Sequence, residues 1–217
     1  EIDASFGSLS RIENDQTNPT KETLMKIAKV LNLREDEISY LLGVSDGPVS
    51  EETIENAVKF VSRFLNPDER LFYLVDDTWT LLYYSEGMRK LLDIDPQIAE
   101  LVLGKNILEL CLSPDFPLAR LFSKHNYDEF ISNQVDFFLE ESGYRRMEPW
   151  FEKLVNKLNM YPEFKSAWKD RERKTVANSL ERTFQISMGG ADINVAYTKT
   201  RLEQFPRIGI IEWELKM

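Results

Sequence analysis

The residue types that most often perform catalysis or bind metals are scarce in this sequence. The chain has one histidine, His125, in the polar segment KHNYDE, and one cysteine, Cys111. A zinc site of histidine and cysteine ligands needs about four such residues, so these two do not supply one. No serine stands in a Gly-x-Ser-x-Gly setting, and no glycine-rich phosphate-binding loop is present.

Two further patterns are interpreted as structural rather than chemical. The acidic pairs at 76–77 and 140–141 are predicted to be solvated turns or helix ends. The pair Gly189 and Gly190 is predicted to be a hairpin turn rather than a cofactor cradle. We therefore expect a protein that is not an enzyme, with no metal and no cofactor.

Several fixed spacings occur together in the segment SLSRIENDQTNPTKETLMKIAKVLNL (8–33). Residues 10–13 read Ser-Arg-Ile-Glu, residues 18–20 Asn-Pro-Thr, residues 22–24 Glu-Thr-Leu, and residues 27–31 Ile-Ala-x-x-Leu. Over these 26 residues the chain resembles the second half of an Xre/Cro-type helix-turn-helix domain. The family domain has five helices and the first two are absent here, which predicts weak DNA binding by the chain alone.

The resemblance implies that residues 5–14 form the recognition helix, which enters the major groove of DNA. Ser5, Ser8 and Arg11 are spaced by three and share a face. Ser8 and Arg11 are the leading candidates for contact, because arginine pairs bidentately with guanine or clamps a phosphate. A loop and helix start, where backbone N–H groups attract phosphate, supply further candidates: Asn18, Thr20 and Lys21.

The charge of the chain leaves a second interpretation open. The net charge is −10, and residues 1–44 contain five basic and eight acidic residues. Phosphate contacts depend on local charge, so this balance does not exclude a small DNA-binding face. The alternative is a protein-interaction module with a vestigial helix-turn-helix, in which Arg11 and Glu13 form only surface pairs.

The remaining sequence changes from helical to period-two patterning at residue 71. The segment FYLVDDTWTLLYYSEGMRKLLDI (72–94) resembles the opening of a PAS-type sensor domain. The later segments KNILELCLSP (105–114) and MEPWFEKLVNKLNMYPEFKSAWKD (147–170) are similar to the MmyB-like ligand-binding domain of Xre regulators. This resemblance covers residues 71–215 and is looser than that of the helix-turn-helix.

The second resemblance implies a pocket for a small apolar, fatty-acid-like molecule between sheet and helices. Aromatic residues in the corresponding segments are candidates to line it: Trp79, Tyr83, Phe137, Phe138, Trp150 and Phe184. Family members often place an arginine where this chain has Leu139 and Glu140, so Arg145 or Arg146 would have to bind a ligand head group. The alternative is that these aromatic residues are simply core.

The elements that would position these residues form an α+β arrangement. A partial all-α helix-turn-helix domain (1–44) is followed by a linker and connector helix (45–66) and a PAS-like domain (67–217). Strands at 71–77, 79–85, 180–188, 191–202 and 207–215 predict one five-stranded antiparallel sheet with helices on one face. Alternation of apolar and polar residues in 180–188 predicts that the other face is solvated.

The partners predicted from these two resemblances are operator DNA, a small apolar ligand and a second copy of the chain. Two half-sites one helical turn apart call for a two-fold symmetric dimer. The apolar stripe of the connector helix is predicted to pack on the sensor domain or on a twin chain. A single cysteine suits the reducing cytoplasm, and no apolar run approaches the roughly 18 residues of a membrane span.

Overall fold

The computed structural model describes residues 6–43, 48–170, 181–188 and 191–216. The chain divides into two compact units at the junction of Pro48 and Val49. Residues 44–47, which include the start of the predicted linker, lie outside the described residues. Within the described ranges, no helix has the length and apolar character needed to cross a membrane.

The amino-terminal unit is helical, as predicted. Its helices are α1 (Phe6–Glu13), α2 (Lys21–Val30) and α3 (Glu35–Leu41). The Thr20 hydroxyl accepts a hydrogen bond from the backbone N–H of Thr23 at 3.2 Å and so caps the start of α2. Gly43 follows α3 with a φ of 71°, a left-handed conformation that glycine adopts without steric cost.

The second unit is built on one five-stranded antiparallel sheet, which confirms the predicted α+β fold class. The strands are β1 (Leu71–Asp76), β2 (Leu81–Tyr84), β3 (Glu181–Met188), β4 (Ala191–Leu202) and β5 (Phe205–Lys216). Their order in the sheet is β2-β1-β5-β4-β3, so the central strand β5 comes last in the sequence. Residue 180 and the predicted turn at residues 189–190 lie outside the described residues.

One face of the sheet packs against most of the helices of this unit. Val75 of β1 and Ile211 of β5 meet fully buried helix residues such as Leu108, Ile131 and Phe138. Each such buried side chain contributes roughly 1.5–3 kcal/mol to folding. The helices are α5 (Glu86–Leu91), α6 (Pro96–Val102), α7 (Ile107–Leu112), α8 (Lys124–Ser142), α9 (Pro149–Leu158) and α10 (Pro162–Asp170), with short 3-10 turns at Pro117–Leu121 and Gly143–Arg145.

The opposite face is solvated at the edge strand β3, where Thr183 and Gln185 are exposed as predicted, but it is covered at the central strands, where the prediction is wrong. Helix α4 (Glu51–Val61), which fills the connector position and is capped by Ser50, packs there through Ala57 and Val61. It covers Phe72 and Leu74 of β1 together with residues of β5. The apolar–polar alternation that predicts a solvated face occurs in β3, which is an edge strand. The central strands β1 and β5 are apolar on both faces, as expected for strands that are covered on both sides.

Candidate functional site

The predicted DNA-contacting residues lie on the surface of the amino-terminal unit. Ser8 and Arg11 are exposed on α1 and are separated by three residues. Ser5 lies outside the described residues. The remaining candidates are exposed in the loop before α2 or in its first turn: Asn18, Thr20 and Lys21.

The start of α2 is suited to an anion by its geometry. Its first backbone N–H groups have no partner within the helix, and the helix dipole adds positive potential there. The hydroxyl of Thr20 accepts from the Thr23 N–H, so its role is to cap the helix. Lys21 adds a positive charge at the first helical position. Ser8 and Arg11 lie on the preceding helix, the one expected to enter the groove.

The second candidate site is a small apolar cavity between the sheet and the helices. Its volume is about 40 Å³, which is enough to hold water but well below the roughly 150 Å³ of a cavity that holds benzene. The residues lining it come from β1, β2, α5, α7, α8, β5 and the segments between them: Tyr73, Leu81, Tyr84, Met88, Leu92, Ile94, Ile107, Leu110, Cys111, Phe116, Leu118, Phe130 and Trp213.

The lining residues that carry polar side-chain groups are Tyr73, Tyr84, Cys111 and Trp213. Tyr73 and Trp213 both line the cavity, and burial raises the pKa of the Tyr73 hydroxyl well above its usual value of 10.0. Burial raises the pKa of the Cys111 thiol to about 12. Tyr84 donates its hydroxyl to the carbonyl oxygen of Ala99 at 3.0 Å. The surroundings of the cavity therefore disfavour charge.

The aromatic residues predicted to line a pocket lie around this cavity rather than on it. Trp79 is fully buried, with its ring centroid 5.4 Å from that of Phe137 and 5.7 Å from that of Phe138. Trp150 packs on Phe138 at 6.4 Å. These four residues pack in or against the core beside the sheet.

Two further predicted lining residues occupy other positions. Tyr83 packs on Phe72, on the face of the sheet that α4 covers. Phe184 packs on Phe130 and Trp213, two residues that do line the cavity. Phe184 is therefore one layer behind the cavity wall.

The two arginines proposed to bind a ligand head group are placed differently from each other. Arg145 is buried, with its guanidinium 2.7 Å from Asp77 and 2.6 Å from Glu148. It also lies over the ring of Trp150, at 5.6 Å from the centroid. Arg146 is exposed. Neither lines the cavity.

The acidic pairs lie where predicted, in the turn after β1 and at the end of α8, but their side chains are less solvated than predicted. Asp76 accepts from the backbone N–H groups of Thr78 and Thr80, which shapes the turn after β1. Asp77 pairs with cations from two distant segments, and Glu141 pairs with Lys199. The partners are distant in sequence, so local patterning gave no sign of them.

The cavity-lining residues that the sequence analysis missed include Tyr73 and Trp213. Period-two patterning in LFYLVD places Tyr73 and Val75 on one face and Phe72 and Leu74 on the other. Because both pairs of residues are apolar, the pattern does not specify which face of the strand lies toward the cavity. The pairing of β1 with β5 brings Trp213 beside Leu71, and that pairing is set only by the sheet topology.

Comparison with known proteins bears on the amino-terminal unit. Residues 2–38 match the family model described as Helix-turn-helix. The chain has a helix-turn-helix domain at its amino terminus. The model matches the part of the chain in which the Ser-Arg-Ile-Glu and Asn-Pro-Thr spacings occur.

The chain also has similarities among solved structures. The PAS domain of an HTR-like protein from Haloarcula marismortui aligns with 10% identity and a TM-score of 0.32, covering 75% of this chain and 98% of that one. The PAS domain of a two-component sensor histidine kinase aligns with 13% identity and a TM-score of 0.31, with the same coverage. No curated protein sequence matches the chain.

Proposed function

We propose that this chain is a transcription regulator that binds operator DNA through its helix-turn-helix domain. In this proposal its α+β domain binds a small apolar molecule. The observation that carries the proposal is the helix-turn-helix match over residues 2–38, together with the exposure of Ser8 and Arg11 on α1.

In this proposal two neighbouring helices contact the DNA. Helix α1 enters the major groove with Ser8 and Arg11 toward base edges or phosphates. The start of α2, with Lys21, binds a backbone phosphate and fixes the orientation of α1. The protein acts as a homodimer on two half-sites. The net charge of −10 does not oppose this, because phosphates respond to the local field of the contacting face.

The proposed ligand site is the cavity beside Tyr73. Its lining is almost entirely apolar, which suits an apolar guest. A cavity of about 150 Å³ in another protein accommodates benzene, so 40 Å³ is too small for an extended acyl chain without widening. We therefore propose a small apolar molecule, and a fatty acid only if binding opens the site.

The proposed signal runs through β1. Tyr73 lines the cavity on one face of the sheet, and its neighbours Phe72 and Leu74 pack on α4 at the other face. A guest that displaces Tyr73 would disturb this packing and change how α4 is presented. Such coupling requires that the ligand bind one conformation better than the other.

The experiment is a selection of duplex DNA from a random library with the full-length protein, followed by fluorescence anisotropy on the enriched sequence. Arg11→Ala is expected to weaken binding at least tenfold, because a bidentate arginine contact is worth about 1–3 kcal/mol. Lys21→Ala is expected to lower the dependence of log K on log[salt] by about one.

The matched control is Arg63→Ala, which removes the same charge from an exposed position in the other unit. It is expected to leave DNA affinity unchanged. Equal affinities for the wild type and Arg11→Ala would contradict the assigned reading helix.

A second candidate function is an interaction module that does not bind DNA. The observation that favours it is the acidic balance of residues 1–44, with eight acidic and five basic residues. In that case no duplex is enriched at any salt concentration, including low salt, where phosphate contacts are strongest.

A further inference from the structure

The two edges of the five-stranded sheet differ in what lies beside them. At one edge, β2 is only four residues long, and the chain after α6 occupies its outer side. The Leu81 N–H donates to the carbonyl oxygen of Lys105 at 2.8 Å, and the Gly104 N–H donates to the carbonyl oxygen of Leu81 at 2.8 Å. Thr80 and Asn106 form an isolated antiparallel bridge beside them. This edge is therefore closed to another strand.

The opposite edge of the sheet is the outer side of β3. All eight residues of β3 pair in register with β4, and no other strand of the described chain lies beside it. No backbone hydrogen bond from the described residues reaches its outer side. Every second residue of an antiparallel strand directs its N–H and C=O away from the partner strand, so unpaired donors and acceptors line an edge about 27 Å long.

The side chains of β3 do not oppose pairing with another strand. Proline, lysine or a bulge often protects a natural edge strand, and β3 has none of these over its length. Its polar face carries three uncharged residues in succession, Thr183, Gln185 and Ser187. On its other face Arg182 is only 13% exposed and donates to Glu140 at 2.5 Å, so its charge is already neutralised.

We infer that the outer edge of β3 pairs antiparallel with β3 of a second copy of this chain, which joins the two sheets into one. This inference rests on the homodimeric regulator proposed above and names the surface through which the two copies meet. A strand that pairs antiparallel with its own copy has a two-fold axis, which is the symmetry that two DNA half-sites require. With that axis near Gln185, the residues opposite Thr183 and Gln185 are uncharged, and Glu181 lies far from its own equivalent.

Two double variants of the full chain test the edge by charge: Thr183→Lys with Gln185→Lys, and Thr183→Glu with Gln185→Glu. Both positions are exposed, so the substitutions are compatible with the fold. Each variant alone is expected to dimerise at least about tenfold more weakly than wild type, because like charges meet across the two-fold axis. An equimolar mixture of the two is expected to regain dimerisation, since opposite charges then meet. Sedimentation equilibrium measures the dissociation constants.

The matched control is Thr198→Lys with Thr200→Lys. Both threonines are exposed on β4, an inner strand, and they share a face of the sheet with Thr183, because Thr183 pairs opposite Ala196. The control is expected to leave the dissociation constant of the dimer unchanged. In the wild type, alternate backbone N–H groups of β3 are expected to exchange more slowly with deuterium when the protein concentration is raised above that constant.

The possible failures are distinguishable. Wild-type affinity in both charged variants would overturn pairing through β3 and leave a homodimer through another surface standing. A mixture that does not recover, although both variants retain the circular dichroism of the wild type, would overturn it as well. A wild type that stays monomeric up to about 1 mM would overturn the second copy as the occupant of the edge. The DNA selection described above tests the regulator separately, because its variants lie on α1 and α2.

Discussion

The guanidinium of Arg145 lies 2.7 Å from a carboxylate oxygen of Asp77, although 68 residues separate them in the sequence. Arg207 of β5 approaches the other oxygen of Asp77 at 3.0 Å. The turn after β1, the 3-10 turn after α8 and strand β5 are joined at this carboxylate. These ion pairs give Arg145 a structural role, and they occupy the guanidinium that was predicted to bind a ligand head group.

Replacing Arg145 with methionine is expected to lower the free energy of unfolding by about 3 kcal/mol. The substitution leaves the buried carboxylates of Asp77 and Glu148 with fewer partners, and breaking a buried ion pair from one side is strongly destabilising. Urea denaturation followed by circular dichroism measures the change.

Arg146→Met is the matched control for that substitution, because the neighbouring arginine is exposed. Its effect is expected to stay within about 0.5 kcal/mol. Equal stabilities for the Arg145 and Arg146 variants would show that the ion pairs at Asp77 contribute nothing to folding.

The stability of the protein is expected to fall as the pH drops from about 4.5 toward 2. Burial of the Glu141 carboxyl acts to raise its pKa, but Lys199 and Arg201 outweigh burial and lower the pKa to about 2, from a usual 4.5. A folded-state pKa below the unfolded value gives stability that is present above pH 4.5 and lost as Glu141 is protonated in the folded state. The contribution is up to about 3 kcal/mol.

Thermal or urea unfolding of the Glu141→Gln variant across this pH range tests the predicted contribution of Glu141 to stability. The variant is expected to be less stable than wild type at pH 7, with the difference shrinking toward pH 2. Glu152→Gln, at an exposed position of α9, should follow the wild-type profile. A Glu141→Gln difference that is constant with pH would contradict the assignment.

The Cys111 thiol is expected to resist modification in the folded protein. It is buried beside the cavity, and burial raises its pKa to about 12, so very little thiolate exists at pH 8. Labelling with an aromatic disulfide reagent should be at least about a hundredfold slower than in urea.

Because Cys111 is the only cysteine, the labelling rate also measures opening of the domain. Cys111→Ala gives the zero-labelling baseline. Complete reaction of the native protein as fast as in urea would mean that the cavity region is open to solvent in the folded state.

Local sequence patterns predict much of the secondary structure and the fold class of this protein. The helix-turn-helix spacings between residues 8 and 33 are short-range, and the family match confirms that domain. Ser50 at the start of α4 and the apolar periods of the strands follow from cap chemistry and alternation, which depend on neighbours only. The fold class, one antiparallel sheet with helices, follows from the order of those elements.

Only the tertiary structure specifies which face of each strand packs on which layer of helices, and this packing forms the cavity. Phe72 and Tyr73 are adjacent and both apolar enough to be buried, yet one packs on α4 and the other lines the cavity. The burial of Asp77 was likewise fixed by cations 68 and 130 residues away. Alternation specifies that neighbours point to opposite sides, but only the packing of distant segments specifies what lies on each side.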